Sequence, residues 1–297
     1  MRKVPRKRAV SLGTISRFNQ GRSVFLDTHM PHTLGPYSLS QLLDETFNIY
    51  RRNFMLFIGI SLVPNLILLL LQLVLTGPPL EIEQSGTMVI ALGGLISFVA
   101  SLFAASIVTA ATTFGVSDLY LDRPTSMAEC YSRVANKALK VIYVSFVVDL
   151  TVAFGTLLCI VPGIYWAGSY GVAVPAAVLE DTPATECMNR SSSLTSDSVG
   201  RVIVIYLLTG IFIACMAATL EGVALVLTTR VFHASTTFAP HALRQITTAL
   251  SSILFGPVSA IALTLVYYDQ RVRKEAFDIE HMMSLMAAAS SAPAGNR

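Results

Sequence analysis

Two carboxylates stand inside strongly apolar stretches of this chain, Asp149 and Glu221. An ionisable side chain at the centre of a membrane costs about 2.5–3.5 kcal/mol by insertion scales, so such residues are candidates for function. The chemistry expected of them is the binding of an ion or a proton. The alternative is that each carboxyl only hydrogen-bonds to a Ser, Thr or Tyr of a neighbouring helix. The two acids lie at different depths in their stretches, so a shared carboxylate pair is not expected.

Established catalytic patterns are missing from the rest of the chain. There is no phosphate-cradling Gly loop with Lys-Ser or Lys-Thr, no His-Glu-x-x-His and no Gly-x-Ser-x-Gly. The five His residues are scattered and the four Cys have no metal-binding spacing, so we expect no metal site and no cofactor. These observations favour a protein that is not an enzyme, and an intramembrane enzyme is the third-ranked interpretation.

The elements that carry Asp149 and Glu221 are predicted to be membrane-spanning helices. The chain has 297 residues, of which 53% are hydrophobic and only 13% are charged, whereas soluble domains carry about 25% charged residues. A spanning helix needs about 20 apolar residues. The sequence therefore predicts an all-α, polytopic membrane helix bundle of about six spans. The expected spans are residues 54–76, 88–114, 141–161, 164–179, 202–229 and 246–266.

The predicted membrane domain covers residues 38–280. Residues 1–37 are basic and are expected to form a disordered tail, with Met30 as an alternative start, and residues 281–297 are expected to form a disordered C-terminal tail. The basic tail can touch anionic lipid, whereas nucleic-acid binding is not expected because no stacking aromatics accompany its charges.

The centre of the chain reads as two apolar helices folded back on each other across Val161-Pro162-Gly163. The second of these legs, 164–179, is short and is interrupted by Gly168, Gly171 and Pro175. Broken helices of this kind can form transporter sites, although the inverted second copy that many transporters have is missing here.

A short motif recurs before successive hairpins at an offset of 57 residues. A Ser or Thr that can cap a helix is followed four residues later by an acid near the helix start. In two copies an Arg follows after four more residues and can pair with that acid. We expect three short amphipathic interfacial helices, each followed by two spans. The motif residues are Thr125, Glu129 and Arg133; Thr182, Glu186 and Arg190; and, more loosely, Ser40 and Asp44.

The distribution of Lys and Arg predicts the orientation. Nearly all of the 21 basic residues fall in the termini and in the two polar segments 115–140 and 181–201. Only Arg230 and Arg244 fall on the other side of the predicted membrane. Basic residues mark the cytoplasmic side, so we expect a plasma-membrane protein with both termini in the cytoplasm.

Three stretches together carry a resemblance to a known family. They are residues 42–54, residues 161–165 with 174–180, and residues 265–278, which include Tyr267-Tyr268-Asp269. Over about residues 38–280 the chain resembles the prokaryotic membrane domain named for glycerophosphoryl diester phosphodiesterases. In some members that domain precedes a soluble phosphodiesterase barrel. Too few residues follow Asp278 to form a barrel, so the resemblance implies a membrane domain and supplies no catalytic residues.

The hypothesis that follows is a non-enzymatic scaffold or a component of envelope or lipid handling. Its expected partner is membrane lipid, with an unidentified membrane or cytoplasmic protein as a further possibility. The alternative is a transporter or channel component that uses Asp149 and Glu221.

Overall fold

A computed structural model describes residues 37–75, 87–121, 123–231 and 238–291, with the backbone alone for 87, 89–90, 231, 238–240 and 276–291. These residues belong to one unit, Pro36–Arg297; the other unit, Met1–Gly35, is outside them. The described part of the chain is all-α, as predicted. Its helices are α1 Leu39–Arg52, α2 Phe54–Leu75, α3 Thr87–Tyr120, α4 Met127–Leu158, α5 Ile160–Tyr170, α6 Ala173–Leu179, α7 Cys187–Thr195, α8 Val199–Val226 and α9 Phe238–Ser291, with a π-helical turn at Leu227–Val231.

The central element is α9. It packs against α1, α2, α3, α6, α7 and α8. Half of its most apolar window is buried, against about a fifth for the other long helices. The outward faces of those other helices carry many exposed Leu, Ile, Val and Phe side chains. An apolar exterior around a packed interior is what a bilayer requires, because lipid solvates such side chains.

In the described part of the chain, five helices are long and apolar enough to cross a membrane, which is compatible with an integral membrane protein. They are Phe54–Leu75, Ala91–Tyr120, Met127–Leu158, Val199–Arg230 and His241–Glu275. They contain the predicted spans 88–114, 141–161, 202–229 and 246–266 nearly whole, and the first predicted span up to Leu75. The predicted span 164–179 has no single long helix, so a count of six stays a prediction.

Two short helices take the place of that span. The chain turns back at Cys159, and α5 then packs closely on α4. A Cβ on Gly163 would lie 2.7 Å from the backbone N of Thr156, and one on Gly155 would lie 2.4 Å from the Trp166 ring. Small residues are what allow two backbones to approach in lipid.

The break between α5 and α6 at Gly171–Val172 has a local cause. Pro175 has no N–H to donate to the carbonyl of Gly171. Two residues earlier, in the last turn of α5, the carbonyl of Ser169 accepts from the hydroxyls of Ser191 and Thr195 of α7 at 2.8 and 3.2 Å. The predicted interruption of this leg is therefore present, and buried hydroxyls lie beside it.

The predicted interfacial helices differ from expectation in start and in number. The cap of α1 is Ser38 rather than Ser40, in a capping box with Gln41. Ser126 rather than Thr125 caps α4. The helix that follows Thr182 begins only at Cys187, and its cap position makes no side-chain hydrogen bond. Moreover, residues 127–140 are not a separate helix but the first turns of α4, because nothing in that stretch breaks the helix.

The tails can be compared only in part. The predicted N-terminal tail lies outside the described residues, apart from Tyr37. The backbone of α9 is helical to Ser291, which reaches into residues 281–297, and the disordered C-terminal tail stays a prediction. Alanine-rich sequence favours helix, and the helix has no Gly or Pro to end it there.

Candidate functional site

A cavity of about 730 Å³ lies inside the apolar part of the bundle. Its walls come from α3, α4 and α8 and also from α5, α6 and α9, and it is partly open to the outside of the bundle. α8 packs on α5 and α9, whereas α3 and α4 pack on each other. The cavity is the space that is left between these two groups of helices. Its size falls in the range of small-molecule sites, which is roughly 300–1,000 Å³.

Asp149 lies in this cavity. At one end of the bundle, here called the basic end, Lys140 of α4 donates to the carbonyl of Glu180 at 2.9 Å. Asp149 lies nine residues further along the same helix. At 1.5 Å per residue this is about 13 Å deeper, close to the middle of a hydrocarbon layer about 30 Å thick.

The carboxylate of Asp149 has no hydrogen bond or ion pair to any residue that the structure describes, and its side chain is exposed. None of the described residues that line the cavity is a Lys, Arg or His. The carboxylate is thus the one charged group in the described lining. The alternative interpretation, in which a Ser, Thr or Tyr of a neighbouring helix hydrogen-bonds to the carboxyl group, therefore does not apply to Asp149 within the described residues.

Hydroxyl groups accompany the carboxylate. Ser145 is one helical turn before Asp149 on α4, is only 5% exposed, and its Oγ is a buried atom without a hydrogen-bond partner. Tyr206 and Thr209 line the same cavity from α8. The Thr209 hydroxyl donates back to the carbonyl of Ile205 at 2.8 Å, which leaves its lone pairs available to a ligand. The sequence analysis missed these hydroxyls, although the i, i+4 spacing of Ser145 and Asp149 placed both on one helix face.

Glu221 lies elsewhere, in a second cavity of about 580 Å³ between α8 and α9. The hydroxyl of Thr248 donates to its Oε1 at 3.3 Å. His241 and Arg244 line this second cavity as well. For Glu221 the alternative of a hydrogen bond to a neighbouring Thr is therefore met. The structure does not bring the two in-span acids together, in agreement with the prediction.

The basic end holds a network that joins three helices, α6, α7 and α9. Arg190 donates through Nε to both carboxylate oxygens of Glu180, at 3.1 and 3.0 Å, and through Nη2 to Glu275 at 2.8 Å. The hydroxyl of Tyr267, which is fully buried, donates to Glu180 at 2.8 Å. The hydrogen bonds and ion pairs of Arg190 with Glu180, and to a lesser extent with Glu275, raise the pKa of Arg190 above its ordinary value. The predicted pairing of Arg190 with Glu186 is replaced by this network, since Glu180 lies closer to the core.

The first copy of the motif has a similar arrangement. Arg133 pairs with Glu129 at 2.5 Å, as predicted, and its Nη1 also donates to both oxygens of the buried Asp118 at 3.0 Å. Thr125 and Thr182 are not caps, but each contacts the buried Cys five residues later, at 3.4 Å to Cys130 and 3.6 Å to Cys187.

Near the start of α1 the pattern changes. Ser40 contacts the Ser38 hydroxyl at 3.2 Å, and Asp44 is exposed. The buried acid here is Asp269, which accepts from the backbone N–H of Tyr37 at 2.9 Å and from Arg273 at 3.0 Å. Asp118 and Asp269 are 2% exposed, and both lie just beyond the ends of the predicted spans 88–114 and 246–266, where the sequence analysis assigned them no role.

No group of three or more His, Cys, Asp or Glu with the geometry of a metal site occurs among the described residues. Comparisons with family models, curated proteins and solved structures found no match to this chain. The likeness to the membrane domain of glycerophosphoryl diester phosphodiesterases therefore rests on the residues alone. What the fold and the cavity define is an integral membrane helix bundle with a cavity at membrane depth.

Proposed function

We propose that this chain is a non-enzymatic membrane protein that holds a lipid or another apolar molecule in the cavity around Asp149, as part of envelope or lipid handling. The single observation that carries the proposal is a cavity of about 730 Å³ at membrane depth, with mostly apolar walls and a few hydroxyls. Apolar walls with few polar groups are typical of sites for small molecules. The resemblance to a membrane domain found beside glycerophosphoryl diester phosphodiesterases points in the same direction, because glycerophosphodiesters are the headgroup parts of phospholipids.

We propose six crossings of the membrane, with the short helices α5 and α6 together forming one of them. Lys137 donates to the carbonyl of Val178 at the basic end, while Gly155 near the other end of α4 meets Trp166 of α5. We infer that α5 and α6 together return the chain across the membrane. With the basic residues on one side, both termini are then cytoplasmic.

The test uses a variant that fills the cavity. Gly210 lines the cavity, and a Cβ added there would meet nothing within 4 Å. The backbone at Gly210 therefore accepts a Cβ without a clash, and the large side chain of Gly210→Trp should occupy the cavity beside it. Purified in mild detergent, the wild-type protein should retain a co-purifying lipid or apolar molecule detectable by mass spectrometry, and Gly210→Trp should lose it.

Gly222→Trp is the matched control. Gly222 is on the same helix, also has open space for a side chain, and lines the second cavity. Equal retention of the molecule by wild type and both variants would overturn the proposal. Phosphodiesterase turnover by the purified chain would overturn its non-enzymatic part.

A transporter or channel component is the second candidate, favoured by the unpaired carboxylate of Asp149. In proteoliposomes, Asp149→Asn should then abolish flux of the transported ion or solute. The earlier expectation gave Glu221 the same role, and Glu221→Gln tests it separately. Flux that is unchanged in both variants would contradict this candidate.

A further inference from the structure

We propose that the ligand of the cavity carries an ammonium group, which binds Asp149, joined to an apolar body that fills the remaining space. The inference rests on the proposed function, since it names the chemical class of the molecule held in the same cavity. It depends on three features: the charge of the lining, the unpartnered hydroxyl beside the carboxylate, and the contrast with the other in-span acid.

The charge of the lining selects against anions. Asp149 is the one charged residue in the described lining of the cavity, and no cation of the protein stands there to neutralise it. In a medium of low dielectric a carboxyl group stays ionised only with an opposite charge close by, so the charged form of Asp149 requires a cation in the cavity. A phosphate or carboxylate in this cavity would face Asp149 with no Lys or Arg to bind it.

The polar groups fit a donor with several hydrogens. An ammonium group has three N–H donors and no acceptor. Asp149 offers carboxylate oxygens, and the buried Oγ of Ser145, one turn away, is without a partner and can accept. The Oγ of Thr209 already donates within its helix and can also accept. A neutral alcohol or ester would use fewer of these acceptors.

Glu221 shows what a satisfied in-span acid looks like in the same protein. It accepts a hydrogen bond from Thr248, and its cavity also contains Arg244. Asp149 has neither kind of partner among the described residues. Because Glu221 has these partners and Asp149 does not, a ligand has to supply the positive charge at Asp149, whereas Glu221 needs none.

The size of the cavity sets the rest of the molecule. About 730 Å³ is far more than an ammonium ion needs, and half of the lining residues are Ala, Val, Leu, Ile and Phe. An alkyl or aromatic body attached to the nitrogen would bury these walls, at a gain of about 25 cal/mol per Å² of apolar surface. A small hydrated cation such as Na⁺ would leave them in contact with water.

The experiment measures binding of dodecylamine to the protein in nanodiscs by isothermal titration calorimetry, with empty nanodiscs as the blank for partitioning into lipid. Dodecanol, which has the same chain without the charge, is the comparison. Wild type should bind dodecylamine more tightly than dodecanol by about tenfold or more, the ratio expected between a charge-assisted and a neutral hydrogen bond. Lysophosphatidylethanolamine is the third probe. Binding of dodecylamine alone identifies a lipophilic amine, and binding of both amines identifies the ammonium of a lipid headgroup.

The variants separate the two proposals. Asp149→Asn should lose the preference for the amine, Asp149→Glu should keep it, and Glu221→Gln should behave as wild type. Gly210→Trp should abolish binding of both dodecylamine and dodecanol. Equal affinities of wild type for the two compounds, both blocked by Gly210→Trp, would overturn the ammonium and leave the cavity function standing. No binding of either compound to wild type would overturn both.

Discussion

Replacement of Glu180 with Gln tests the network that closes the basic end of the bundle. Glu180 joins α6 to Arg190 of α7 and to Tyr267 of α9 through three hydrogen bonds of 2.8–3.1 Å. Hydrogen bonds to charged groups contribute about 1.5–3 kcal/mol. Glu180 is 12% exposed but Arg190 is 31% exposed, and Arg190 keeps Glu275 as a partner, so the ionic part has to be discounted for solvent.

The expected loss of folding free energy in Glu180→Gln has two parts, the lost charge and the weakened hydrogen bond to Tyr267. After the discount, loss of the charge costs about 1–1.5 kcal/mol, and weakening of the bond to the buried Tyr267 hydroxyl costs about 1 kcal/mol more. We therefore expect Glu180→Gln to lower the free energy of unfolding by about 2–2.5 kcal/mol. For a chain of this size that corresponds to a fall of about 5–10 °C in Tm.

Thermal unfolding of the purified protein in detergent, followed by the fluorescence of its single Trp, measures this change. Glu275→Gln is the matched control, because Glu275 contacts the same Arg190 but is 42% exposed and should cost less than about 1 kcal/mol. A double-mutant cycle of Glu180→Gln with Tyr267→Phe should give a coupling of about 0.5 kcal/mol or more. The reasoning is refuted if Glu180→Gln unfolds at the same temperature as wild type or as Glu275→Gln.

Two further predictions concern the α4–α5 hairpin. Gly163→Ala should destabilise the protein by about 1–3 kcal/mol, because the new Cβ would meet the backbone of Thr156 at 2.7 Å, which cannot move aside easily. Gly200→Ala, where nothing lies within 4 Å, should change the stability by less than about 0.5 kcal/mol, and equal Tm values for the two variants would contradict the close packing. Cys159 is exposed at the end opposite the basic end, so a membrane-impermeant maleimide should label it from outside intact cells if the termini are cytoplasmic. Cys159→Ala should abolish this labelling because the other exposed thiol, Cys215, lies within a span, and labelling only after lysis would reverse the orientation.

The sequence was sufficient to place most of the apolar helices. Long runs of Leu, Ile, Val, Ala and Phe can satisfy their backbone groups in lipid only as helices, so their position follows from composition alone. The interruption of residues 164–179 was also predictable, because Gly171 and Pro175 weaken a helix wherever they stand. The Glu129–Arg133 pair followed in the same way from its i, i+4 spacing.

The helix starts were less predictable. Each helix start offers two residues that can cap it: Ser38 or Ser40 for α1, and Thr125 or Ser126 for α4. The residue that becomes the cap is the one whose side-chain oxygen reaches the backbone N–H near the start of the helix. That choice depends on the entry angle of the chain, which neighbouring helices set. Residues 127–140 were predicted to be a separate helix because the sequence changes there from polar to apolar. The backbone nevertheless continues without a break into the rest of α4.

The in-span acids show where sequence reasoning ends. The residue types alone identified Asp149 and Glu221 as unusual, because a charge in an apolar run is costly whatever surrounds it. Only the packing decided that Thr248 satisfies Glu221 while Asp149 faces a cavity without a cation, since both outcomes depend on which helices are neighbours. Likewise, Arg190 was predicted to pair within its own helix, but it binds Glu180 and Glu275 from two other helices. Local spacing fixes contacts along one helix, and contacts between helices that are distant in the chain arise only when the bundle assembles.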